Sequence, residues 1–397
     1  MSEKRRDNRN RILRSGESQR KDGRYAYKYT DTFGKVQFVY AWKLVPTDKT
    51  PAGKRDDISL REKEKEIQKD LDDGIDTIGK KMTVCQLYAK QIRHRGNVRY
   101  NTKNGRKRLM KLLEEDKLGG CPIDSVKLSD AKEWAIRMKE KGISYKTISN
   151  DKRSLKAAFY TAIQDDCIRK NPFDFQLNTV IEDDTEPKVP LTPAQEESFL
   201  SFAQNDKVYQ KYYDELIILL GTGLRISELC GLTDTDINFE NRIINVDHQL
   251  LRSAETGYYI ETPKTKSGIR QIPMSEKVYE AFNRVLKRRR GAKAVTIDGY
   301  SNFLFLNRDG YPKTATNYDG MFRGLAKKYN KYHEEALPKV MTPHTLRHTF
   351  CTNMANAGMN PKALQYIMGH SNITMTLNYY AHATFDSAKA EMLRIAA

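Results

Sequence analysis

Long apolar runs are missing from this sequence: the densest, Leu216 to Leu220, is far shorter than the ~20 residues a membrane-spanning helix needs. The first residues are charged and lack an apolar stretch, so no secretory leader is expected. Cysteine is scarce. Cys85, Cys121, Cys167, Cys230 and Cys351 are odd in number, widely scattered and without a C-x-x-C pair, which argues against a disulfide framework and for a reduced, cytoplasmic protein. No G-x-x-x-x-G-K-[ST] loop occurs, and Gly221-Thr222-Gly223 lacks the third glycine of a dinucleotide fingerprint, so no nucleotide cofactor is expected. Acidic residues are outnumbered. Against 51 Asp and Glu stand 69 Lys and Arg, and a net charge of +18 over 397 residues implies a polyanionic partner, most simply DNA or RNA, rather than a membrane.

That length allows two or three domains. Residues 1 to 55 hold fifteen Lys and Arg against six Asp and Glu, half of the formal excess. Within them, Gly23 to Val45 alternates Tyr, Phe, Val and Trp around a turn at Phe33-Gly34-Lys35 and reads as strands. Aromatics interleaved with Arg24, Lys28, Lys35 and Lys43 suit a small sheet laid against a nucleic-acid groove. Ser59 to Leu71 reads as a solvated helix with a capping box at Ser59 and Glu62. A polar linker at 72–81 leads into a helical segment, Met82 to about Phe175. Arg93, Arg95, Arg99, Lys103, Arg106, Lys107, Arg108 and Lys111 crowd its first half, which by itself reads as a solvated face. A second, acidic linker covers 176–190. Beyond it, a capped helix at LTPAQEESFLSFAQ precedes YYDELIILLGTGLRISELCGL, read as one helix apolar nearly all round and central to the core. NFENRIINVDH, YYIETPKTKSGIRQIPM and NFLFLNRDGYPK read as short strands with turns.

Met341 to His382 gathers four of the seven histidines. Thr342 is a candidate N-cap, Pro343 suits the first helical position, and Leu346, Phe350 and Met354 recur at helical spacing. His344 and Arg347 then share one face of the first turn, where free backbone N–H groups favour an anion. A second helix, Pro361 to Met368, stops at Gly369 and presents His370 at its C-terminus. Tyr379 and Tyr380 follow. Cations, imidazoles and a phenol in one segment form a phosphodiester site. Zinc is the rival reading, since His344, His348 and Cys351 lie at i, i+4 and i+7. Because H-E-x-x-H and a fourth ligand are lacking, no metal is expected, and His348 and Cys351 are expected to pack inward.

The pattern H-x-L-R-H-T-F, then L-x-x-I-M-G-H, then a tyrosine nine residues past that histidine, resembles the signature of the tyrosine site-specific recombinases, the phage integrase family. Gly221 to Leu229, GTGLRISEL, matches the family's other arginine box. The small basic N-terminal sheet resembles the arm-binding module of integrases from Gram-positive conjugative transposons. The resemblance implies a multidomain, mainly α protein with small β-sheets. It would comprise an N-terminal arm-type DNA-binding domain (1–74), a helical core-binding domain (82–175) and an α+β catalytic domain (187–397). It also implies a lysine at a hairpin tip, for which Lys264 in Lys264-Thr265 fits and Lys266 remains open.

The implied chemistry divides among six residues. Arg225 and Arg347 hold the non-bridging oxygens with permanently charged forks. Tyr379 attacks phosphorus and forms a covalent ester; Tyr380, with His382 two residues on, is the other candidate. His344 is the candidate base, His370 donates to a phosphate oxygen, and Lys264 protonates the departing 5′-oxygen. The expected reaction is excision and integration of a mobile element through a 3′-phosphotyrosine and a Holliday junction. Its partners are double-stranded DNA at core and arm-type sites, further copies of this chain in a tetramer on DNA, and an accessory directionality factor. The rivals are a type IB topoisomerase-like strand transferase and a DNA-binding protein without catalysis. In the tail, Phe385, Ala388, Met392, Leu393 and Ile395 fall largely on one helical face; relatives dock such a tail into the neighbouring subunit, and docking in cis is the alternative.

Overall fold

Alternating aromatic residues do form strands in the computed structural model, which describes residues 5–32, 34–76, 79–96, 98–186, 189–263, 265–289, 295–380 and 392. Phe33, Lys264, His382 and the tail apart from Met392 lie outside the described residues. The chain divides into two units, Met1–Glu186 and Pro187–Ala397.

In the first unit, β1 (Glu17–Gln19), β2 (Tyr25–Thr30) and β3 (Val36–Ala41) make an antiparallel sheet in that order. β1 was not legible in the sequence, being only three residues of polar type. One face buries Tyr25 and Tyr27 with Leu13, Leu44 and Leu60, the last from α1 (Leu60–Asp72), whose capping box at Ser59 and Glu62 is as expected. A fully buried Glu17 takes the guanidinium of Arg61 at 2.9 Å and so ties helix to sheet. The pleat sends alternate residues the other way. Lys28 lies opposite Phe38 and Thr30 opposite Val36, all four exposed, with Arg20 and Arg24 over the Tyr40 ring.

Helices α2 (Val84–His94), α3 (Tyr100–Glu114), α4 (Leu128–Glu140) and α5 (Tyr145–Gln164) enclose a separate core around Trp134, Phe159 and Phe173. Of the basic cluster on α2, α3 and the turn between them, Arg93, Arg95, Lys103, Lys107, Arg108 and Lys111 are exposed.

In the second unit, α6 (Pro193–Asn205) starts at its Thr192 cap. The apolar stretch after it is not one helix. α7 (Tyr213–Thr222) ends at Gly223, and α8 (Ile226–Gly231) starts anew with Arg225 as its N-cap. Gly223 takes φ +63°, and a Cβ there would stand 2.5 Å from the Phe350 ring, so the break requires glycine. Strands β4 (Ile237–Asn238), β5 (Ile243–Val246) and β8 (Arg270–Pro273) form one small sheet, while β6 (Gln249–Ser253) and β7 (Gly257–Glu261) form a hairpin. NFLFLNRDGYPK makes only the isolated bridges Thr233–Phe303 and Leu306–Pro312. Helix α9 (Glu276–Arg289) packs on α7, and α10 (Ala315–Tyr332) contributes Phe322 and Leu325 to the same core. Then come α11 (Pro343–Asn356), α12 (Pro361–Met368) and α13 (Thr374–Leu377). α11 also packs on the central α7, and this contact brings the two arginine boxes together.

Candidate active site

Three arginines from distant parts of the chain converge on the C-terminus of α12. A helix end leaves carbonyls without intrahelical partners and carries partial negative charge, so it attracts cations. Here Arg270 Nε donates to Ile367 O at 2.6 Å, Arg347 donates to Met368 O, and Arg225 donates to Gly369 O at 2.9 Å. Gly369 closes the helix at φ 62°, as expected from the sequence. A second hydrogen bond runs from Arg347 to Gly223 O, across to the break between α7 and α8.

Glu228 lies among them. Its carboxylate takes Arg225 at 2.6 Å and Arg270 at 2.8 and 3.1 Å, and it also accepts from the Arg225 backbone N–H at 2.9 Å. Burial alone would raise its pKa, but hydrogen bonds from Arg270 and the charges of Arg270 and Arg225 hold it down to about 2. Burial and the neighbouring Arg225 lower Arg347 to about 9, which still leaves it charged at neutral pH. Three guanidiniums against one carboxylate leave two positive charges uncompensated. That excess matches the charge a phosphodiester gathers in a pentacoordinate transition state. The Arg270 side chain is fully buried between Glu228, Gly268 O and Ile367 O, so it braces the end of α12 and the turn before β8.

His370 follows the same helix end and is buried. Its Nδ1 is 2.9 Å from Thr376 Oγ1. Burial, then the charges of Arg347 and Arg225, lower its pKa to about 4, so the ring is neutral at neutral pH. The tautomer in which Thr376 donates to Nδ1 puts the ring proton on Nε2, the form that can donate to a phosphate oxygen. Tyr379 comes next: its hydroxyl is hydrogen-bonded to His348 Nδ1, and burial pushes its pKa up to about 12. Tyr380 points elsewhere and donates to Met359 O at 2.5 Å. His344 is exposed on the first turn of α11.

The sequence thus singled out Arg225, Arg347, His370 and Tyr379, and the fold brings these four together. It missed His348, which is half-buried against Tyr379 rather than packed in the core, and Thr376; the i, i+4 spacing from His344 was the available signal. Cys351 does pack inward. Among the described residues, the one trio with metal-ligand atoms close together is Asp236, Asp247 and His248. There both imidazole nitrogens are already engaged, with Asp247 at 2.5 Å and Gly231 O at 2.8 Å, which is a structural pairing.

Two consequences are measurable. Glu228→Gln leaves Arg225 and the buried Arg270 without their counter-charge and is expected to lower stability by about 3 kcal/mol in urea unfolding. The second concerns acid. Since His370 is depressed from 6.5 to about 4, the unfolded state binds the extra proton between those values, and stability falls as pH drops through that window. Glu228 adds a second loss as pH falls from about 4.5 towards 2. In pH-dependent denaturant midpoints, His370→Asn is expected to abolish the upper loss and keep the lower.

Comparison with known proteins agrees with this geometry. Residues 190–387 match the phage integrase family, and residues 1–71 match the DNA binding domain of Tn916 integrase. The transposase from transposon Tn916 of Enterococcus faecalis is 70% identical over 395 residues, which are 100% of this chain and 97% of that one. The tyrosine recombinase XerC of Bacillus subtilis is 26% identical over 265 residues, 67% of this chain and 78% of that one. The Tn1549 transposon integrase (residues 82–397, R225K) in complex with a circular intermediate DNA superposes with a TM-score of 0.76. It is 78% identical and covers 79% of this chain and 99% of that one. The same protein as Y379F, with transposon right end DNA, gives 0.75 at 78% identity, covering 80% of this chain and 100% of that one. With identity of this order along its whole length, and its arginines gathered where a phosphodiester would need them, the chain belongs to the phage integrase family, as a tyrosine recombinase of the Tn916 integrase type.

Proposed function

We propose that this chain excises and integrates its mobile element by cutting double-stranded DNA through a 3′-phosphotyrosine at Tyr379 and exchanging strands through a Holliday junction. The observation that carries this reading is the cluster of Arg225 and Arg347 at the end of α12, with the Tyr379 hydroxyl beside His348 on the same helix as Arg347. Arg225 and Arg347 hold the non-bridging oxygens, His370 donates from Nε2 to one of them, and Lys264 protonates the leaving 5′-oxygen. His344, exposed on the first turn of α11, is the base that the family resemblance offers for the phenolic proton. Two of these residues, by type and number, are the ones substituted in the Tn1549 integrase complexes, which supports the assignment. The ester conserves the bond energy, so rejoining needs no nucleotide.

Three functional regions divide the work. Residues 1–74 bind arm-type sites through the exposed face of β2 and β3, residues 82–175 bind core sites through the basic surface of α2 and α3, and residues 187–397 carry the chemistry. On DNA four copies assemble, with the tail linking one protomer to the next, and an accessory factor sets direction. The setting is the bacterial cytoplasm. A nicked suicide substrate tests the reading: the expected result is a covalent protein–DNA adduct on a core site, and its absence overturns the proposal. Deletion from Phe385 onward is expected to impair tetramer formation on DNA more than binding to one site, read by native gel shift. A truncated protein that assembles normally but melts at lower temperature assigns the tail to its own domain.

A further inference from the structure

The tyrosine hydroxyl has to lose its proton as it attacks phosphorus, and the fold places a particular acceptor at that oxygen. His344 is exposed in the first turn of α11, where the positive end of the helix disfavours an imidazolium. His370 has its Nδ1 committed to Thr376 and lies among Arg347, Arg225 and Arg270, so it takes a proton poorly. His348, one turn beyond His344, has Nδ1 in hydrogen-bond contact with Tyr379 Oη, and the two rings are 5.5 Å apart between centroids at 41°. It is only half-buried, which lets an acquired proton be shared with solvent.

Resting on the reading of Tyr379 as the nucleophile, we propose that His348 is a catalytic residue that accepts the Tyr379 proton during cleavage and returns it during rejoining. Before the step, His348 is neutral with its proton on Nε2, leaving the Nδ1 lone pair to the phenol. The Oη–H proton passes to Nδ1 while the Oη–P bond forms and the P–O5′ bond breaks. The 5′-oxygen takes its proton from Lys264. In rejoining, the 5′-hydroxyl gives that proton back to Lys264 and attacks phosphorus, the P–Oη bond breaks, and Oη recovers its proton from His348. Burial of the phenol adds to the need, since at pH 7.5 so weak an acid is almost wholly protonated. Among the described residues, the titratable groups whose charges act on this pair include His370 from the loop after α12, and Arg347 and Cys351 from α11 itself. Arg347 and Cys351 do not change charge between pH 5 and 8.

The test measures adduct formation by the full chain on a nicked suicide substrate between pH 5.5 and 9, for wild type, His348→Asn, His348→Ala and His344→Asn. Single-site DNA affinity is the check that each variant folds. His348→Asn is expected to bind DNA as wild type does, form adduct about 100-fold more slowly, and lose the fall in rate that wild type shows at acid pH. Added imidazole is expected to restore part of the rate of His348→Ala. A substrate with sulfur in place of the 5′-bridging oxygen separates the two proton transfers, because that leaving group needs no acid. It is expected to rescue Lys264→Ala and leave His348→Asn slow. A His348→Asn enzyme that keeps the wild-type rate and acid limb, or one rescued by the sulfur substrate, overturns the proposal; so does an acid limb lost in His344→Asn and retained in His348→Asn. Should Tyr379→Phe still form adduct, the nucleophile assignment fails instead.

Discussion

Tyr379→Phe is expected to form no covalent adduct on a nicked core substrate while binding that substrate with nearly unchanged affinity. On the proposed mechanism the phenolic oxygen is the atom that attacks phosphorus, and the variant lacks it. Tyr380 is held away by its hydrogen bond to Met359 O at 2.5 Å, in the turn between α11 and α12. Affinity is expected to depend little on one hydroxyl, since the proposed core-binding surface draws on exposed cations such as Arg93, Arg95, Lys103 and Lys107 and on counterion release. The variant keeps the ring, so the packing of Tyr379 beside Phe350 and Met368 survives. Tyr380→Phe is expected to retain the adduct. The opposite pattern in denaturing gels transfers the nucleophile to Tyr380.

Removing residues 1 to about 80 is expected to abolish binding to arm-type sites and spare cleavage at a core site. The sheet and α1 close their own core around Tyr25, Tyr27, Leu44 and Leu60, separate from the core of α2 to α5, and the ties its loss severs are chiefly polar, from Arg169 to Asp70 and Asp73 and from Asp76 N to Asp166 O. Its outward face presents Lys28, Phe38 and Tyr40, with Arg20 and Arg24 alongside. Arm binding by the intact chain therefore weakens steeply with salt, with a slope of about −0.9 per phosphate neutralised. Titrations of both proteins against core and arm duplexes at two salt concentrations check this. An intact chain that binds only core duplexes removes the case for two specificities.

Much of the site was legible because its signals are local. Thr342-Pro343 starts α11 and Gly369 stops α12 through cap and backbone preferences that act within one turn, and nine residues from His370 to Tyr379 is a property of the chain alone. The strands of the basic sheet announced themselves by a period of two. Local pattern failed where the deciding partner was distant. Residues 213 to 231 look like one apolar helix, yet Gly223 ends α7 in the left-handed conformation, and Phe350 and Met368, from α11 and α12, fill the space that any side chain there would need.

By itself, then, the sequence determined the charge that calls for a polyanion, the residue types of the phosphodiester site and the helix ends that present them, since propensity, capping and net charge need no distant neighbour. Only the tertiary structure decided how those residues are used. Arg270 looks like a surface hairpin residue until β8 is packed beside Glu228 and Ile367 O, and His348 looks like core until a tyrosine 31 residues away reaches its Nδ1. Burial and hydrogen-bond partners are set by contacts between segments that periodicity cannot relate, and those contacts settle which side chains are charged, held or free to move a proton.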